Sequence, residues 1–92
     1  MAKFLITISH EAEETACARA VKVLLETGSH YLTNADFGCL DGDHRAWIMV
    51  DDVDTKVEAL GIVPPAFRED ASVVQLNRFS LDWIETFLRH HR

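Results

Sequence analysis

Five histidines and two cysteines are the residues of this 92-residue chain best able to hold a metal ion or move a proton near neutral pH. His10 and His30, with Asp51 and Asp52, pair two imidazoles with carboxylates, a set suited to metal ligation or acid/base chemistry. No two of them stand at a helical ligand spacing, and each borders an expected loop, so surface histidines and capping aspartates are the favoured reading. His30, Cys39 and His44 form a second candidate set, which distance excludes: nine residues of strand span about 30 Å at roughly 3.3 Å per residue. Cys39 and His44 alone remain as cross-strand neighbours able to share a proton or supply two ligands. A half-buried thiol beside an ordinary hairpin histidine is preferred to that pair as a site, so neither a metal nor a cofactor is expected.

A third set lies on one face of the expected sheet. Asn34, Asp36, Arg45, Trp47 and Met49, with Thr7 on the first strand and Arg78 on the last, mix polar, charged and aromatic side chains. Arg45 is able to orient a carboxylate or enolate against the Trp47 wall while Asp36 or a histidine moves a proton and Asn34, Trp47, Met49 and Arg78 bind the ligand. An Asp36–Arg45 ion pair that only joins two subunits uses the same residues, since interfaces are enriched in Arg and Trp.

Lys3 to Ser9 alternates Phe4, Ile6 and Ile8 against Lys3, Leu5 and Thr7, the pattern of a half-buried strand. Ser9 is placed to cap a helix whose first turn holds Glu11, Glu13 and Glu14; Cys17, Ala20, Val21, Leu24 and Leu25 form its apolar stripe and Gly28 its stop. Residues 31–39 and 44–51 read as a hairpin around Asp41-Gly42, with Phe37 opposite Ala46, Asp36 opposite Trp47, Asn34 opposite Met49 and Cys39 opposite His44. A short helix capped by Asp54 must end before Pro64-Pro65. A strand over 72–79 and an amphipathic helix capped by Ser80, with Leu81, Ile84, Phe87 and Leu88 on one face, complete the chain.

This order is that of an α+β, ferredoxin-like βαββαβ domain: one four-stranded antiparallel sheet, both crossover helices on one face, and an extra C-terminal helix. Placing strands one and three side by side in the same direction gathers His10, His30, Asp51 and Asp52 at one edge. The other sheet face, with Trp47, Met49 and Leu32, is left open, and monomers avoid large apolar patches. A homodimer through that face is expected, with the last helix as the competing cover.

Charge narrows the partners. Fifteen acidic against nine basic residues leave −6, which disfavours binding to a nucleic-acid backbone, and the short basic end Arg89-His90-His91-Arg92 implies no membrane role. Phe4-Leu5-Ile6 breaks off at Thr7, too short for a signal segment, so a cytoplasmic protein with reduced thiols is expected.

Asp52 to Leu60, Val63-Pro64-Pro65-Ala66-Phe67 and the strand ending Leu76-Asn77-Arg78-Phe79 resemble, in order and type, the muconolactone isomerase-like members of the dimeric α+β barrel superfamily. The resemblance covers the second half of the chain and carries over no catalytic residue. It implies two ferredoxin-like subunits packed sheet against sheet around a pocket, and a cofactor-independent isomerase or monooxygenase-like activity on a small organic acid. A noncatalytic dimerisation or ligand-sensing module is the alternative, and a metal-binding protein using His10 and His30, or Cys39 and His44, is a third.

Overall fold

The computed structural model describes residues 2–27 and 29–91. Strands β1 (Lys3–Ser9), β2 (Asp36–Phe37), β3 (Arg45–Val50) and β4 (Ala71–Leu76) form one sheet in the order β2-β3-β1-β4, every neighbouring pair antiparallel. Helices α1 (Glu14–Glu26), α2 (His30–Thr33), α3 (Lys56–Leu60) and α4 (Leu81–His90) complete the α+β domain, an arrangement consistent with a ferredoxin-like fold. Among the described residues no helix is long and apolar enough to cross a membrane.

Alternation along β1 decides which sheet face is covered. Phe4, Ile6 and Ile8 are buried, as are Ala46, Ile48 and Val50 opposite them on β3. Leu24 of α1, Leu32 of α2, Ala59 of α3 and Val63 close over this face to make the core. The opposite face carries Leu5, Thr7, Trp47, Met49 and Val74, of which Met49 and Val74 are exposed.

Several expected elements shift. Ser9 does not cap α1, because it is still paired in the sheet opposite Arg45; Glu13 does so, its carboxylate accepting from the backbone N–H of Thr15 and Ala16 at 3.0 and 2.9 Å. The expected Gly28 stop lies outside the described residues. The strand expected over 31–39 is mostly absent. The Ser29 hydroxyl accepts from Tyr31 N–H and starts the single turn α2, and the Asn34 amide donates to the His30 carbonyl at 2.7 Å and ends it. Asn34 therefore does not pair with Met49, and Leu32 turns into the core instead of onto the open face. Thr55, rather than Asp54, caps α3, and β4 ends at Leu76 rather than Phe79. Ser80 caps α4 as expected, accepting from Trp83 N–H at 3.0 Å.

The hairpin keeps the expected register, Asp36 opposite Trp47 and Phe37 opposite Ala46, but its ladder stops there. Cys39–Asp41 form a 3-10 turn, and Gly42 follows at φ 84°, a backbone region costly for residues with a Cβ. Gly38 is needed for a different reason: a Cβ there would lie 2.7 Å from the Asp43 carbonyl and 3.0 Å from the Trp47 ring. The resulting loop carries Cys39 inward at its start and His44 at its end.

Candidate metal centre

The largest departure from expectation is the direction of β1 against β3. They are neighbours but antiparallel, so the C-terminal end of β1 meets the start of β3, not its end. His10, one residue past β1, donates its backbone N–H to the His44 carbonyl at 3.0 Å, and the two imidazoles meet edge to face with centroids 5.8 Å apart. Asp51 and Asp52 follow the far end of β3, so the expected cluster of His10 with His30, Asp51 and Asp52 does not form. His30 instead lies tilted against Tyr31, ring centroids 4.0 Å apart, and the Tyr31 hydroxyl donates to Asp52.

Two cysteines complete the group around His10. Cys17 sits in the first turns of α1, buried, and the 3-10 turn presents Cys39 from the other side. His10 Nε2 lies 3.2 Å from Cys17 Sγ and 3.0 Å from Cys39 Sγ. One donor atom from each of His10, Cys17, Cys39 and His44 falls within 4.8 Å of all the others. A tetrahedral ion with bonds of about 2.0–2.3 Å needs donors roughly 3.3–3.8 Å apart, so the group is within a small contraction of a four-coordinate shell.

Electrostatics at the cluster favour the same chemistry. His10 is pulled below its ordinary pKa by burial first and by the neighbouring His44 second, a shift toward the neutral imidazole, the form that ligates. Burial, then hydrogen bonding with Cys39, pushes the Cys17 thiol up, a cost that a cation between the sulfurs would reverse. His10 Nδ1 and His44 Nδ1 are both buried without a hydrogen-bond partner, unusual for polar atoms removed from water. Two soft sulfur and two imidazole donors in tetrahedral reach suit Zn²⁺.

The set expected on the open face is only partly gathered. Asn34, Asp36, Trp47 and Met49 line a shallow cleft of about 300 Å³ with His30 and Asp51. Arg45 is not part of it. Its guanidinium makes a two-pronged ion pair with Asp43, at 2.7 and 2.5 Å, and lies 5.2 Å over the Trp47 ring, so the Asp36–Arg45 pair does not form. That pair holds the Asp43 carboxyl below its usual range. Arg78 lies beyond β4 and shares a separate cleft with Met49 and Lys3. Thr7 is opposite Trp47 in the ladder.

Comparison with family models, with curated proteins and with solved structures finds no match. The geometry of the chain therefore carries the functional argument alone. Cys17 is the member of the cluster that sequence reasoning passed over, treated as one member of an apolar helix stripe. The available signal was the pair of spacings, His10 seven residues before Cys17 and Cys39 five before His44, each too loose to stand out without the fold.

Proposed function

We propose that this chain is a metal-binding α+β domain that holds one Zn²⁺ ion through His10, Cys17, Cys39 and His44. The observation that carries this reading is the convergence of four soft or borderline donors from β1's end, α1, the 3-10 turn and β3's start within 4.8 Å. Four protein ligands fill a tetrahedral shell and leave no position for an activated water, so the ion ties the structure together rather than hydrolysing a substrate. Two thiolates would neutralise the ion's charge, which suits a partly buried place. The test is metal analysis of purified protein with Cys17→Ser and Cys39→Ser beside it. One zinc per chain, lost in both variants, is expected. A native protein that neither carries zinc nor competes for it against a chromogenic chelator would end the proposal.

A second reading rests on the cleft of Asn34, Asp36, Trp47 and Met49. There a small organic acid would be bound for isomerase or monooxygenase-like chemistry, Asp36 moving a proton and a second copy closing the open face, as in the dimeric α+β barrels. The strand order supports the ferredoxin-like unit that this needs. Arg45 and Arg78 would have to swing from their present places to reach the acid. A panel of small carboxylic acids screened by thermal shift, with Asp36→Asn as control, checks it; no shift at millimolar acid rejects it.

A further inference from the structure

We infer that α4 of one chain packs its apolar face across the open sheet face of a second copy, the two chains exchanging helices reciprocally. Leu81, Trp83, Ile84, Phe87 and Leu88 fall on one side of α4, and Asp82, Glu85, Thr86 and Arg89 on the other. In the single chain this stripe has no cover: none of its described residues is buried, with Leu81 72%, Trp83 50%, Phe87 41% and Leu88 59% exposed. The radius of gyration is 16.4 Å and the longest extent 53 Å, against about 12 Å for the radius of a compact chain of this length. The helix stands off the domain.

Its order is nonetheless built in. Ser80 caps it, Phe79 lies tilted against Trp83 with ring centroids 4.9 Å apart, and the rings of Trp83, Phe87 and His91 stack in sequence at 5.6 and 4.0 Å. A preformed apolar stripe that covers nothing in its own chain is a docking element.

The same chain carries the matching surface. Met49 is 52% and Val74 51% exposed on the open face, beside Leu5, Thr7 and Trp47. Ten helical residues measure about 15 Å, and three strand spacings of about 4.8 Å make a sheet roughly 14 Å wide, so α4 is long enough to cross all four strands and no longer. At roughly 200 Å² for a fully exposed large apolar residue, the exposed parts of the stripe and of the sheet residues come to about 650 Å² per chain. Reciprocal exchange then buries about 1,300 Å² in total, within the size range of stable specific interfaces. A second copy is favoured over an anionic membrane because α4's polar face is mixed in charge and the chain is −6 overall.

Light scattering on the native protein, a 10.4 kDa chain, tests this together with Phe87→Asp and Met49→Asp, circular dichroism confirming that each variant keeps the native fold. A native dimer is expected, with each variant monomeric alone. Mixing the two variants is expected to restore a dimer, because the intact helix of Met49→Asp meets the intact sheet of Phe87→Asp. A monomeric native protein would mean that α4 folds back on its own sheet or stays free, and overturns the inference. A dimer split by Met49→Asp but untouched by Phe87→Asp means sheet against sheet, and the reverse pattern means helix against helix; either rejects the exchange. None of these outcomes depends on the metal site.

Discussion

If the chain holds zinc as proposed, removing it should cost this domain much of its thermal stability, by an amount that the topology sets. The donors join α1 to the 3-10 turn across about 22 residues of chain between Cys17 and Cys39. In the chain-entropy treatment of a cross-link, closing a loop of that length is worth about 3.4 kcal/mol, because it removes freedom from the unfolded chain. At about 2.1 cal/mol/K of unfolding entropy per residue, 92 residues give roughly 0.19 kcal/mol/K. The two together predict a fall of about 15–20 °C in Tm when zinc is stripped by a chelator. Calorimetry on the zinc-loaded and stripped protein measures it. Cys39→Ser should start near the lower Tm and respond little to the chelator. A chelator-induced shift below about 3 °C, with Cys39→Ser melting like the native protein, would refute the cross-link argument.

Three other results are expected. Gly38→Ala should weaken zinc binding by about tenfold or more, as loss of a supporting contact does, because a Cβ 2.7 Å from the Asp43 carbonyl must displace the loop between Cys39 and His44; competition with a chelator measures it. Glu13, held below the ordinary carboxyl range by the backbone N–H groups of Thr15 and Ala16, stabilises α1 in its ionised form. That contribution is present above the unfolded-state value of about 4.3 and is lost as pH falls through the lower folded one, so the deficit of Glu13→Gln in urea melts should be full at pH 7 and shrink below about pH 4. Tyr31 is the one tyrosine, and its hydrogen bond to Asp52 pushes its pKa up to about 12; titration of tyrosinate absorbance should show this, and Asp52→Asn should return it toward about 10.

Local order was legible in the sequence wherever it depends on near neighbours. The period-two alternation of β1 is a matter of side chains pointing to opposite faces, and it placed Phe4, Ile6 and Ile8 in the core. Ser80 before an amphipathic run, and the Asp36–Trp47 register, were readable for the same reason. Ser29 was harder, because a four-residue helical turn competes with a strand of similar composition and the difference is one side-chain hydrogen bond.

The candidate site belongs to the other class. His10, Cys17, Cys39 and His44 are spread over 35 residues, and nothing local to any of them signals the others. Whether His10 meets His44 or Asp51 depends only on whether β1 and β3 run opposite or alike. That direction is decided by the path of the whole chain, by which crossover brings β3 back beside β1, and not by the strands' own residues. The sequence by itself determined β1, the hairpin register, the final helix, the covered face of the sheet and the acidic net charge. Tertiary structure alone decided the candidate metal centre, because donor geometry is a property of distances between elements, and those exist only once the antiparallel sheet is formed.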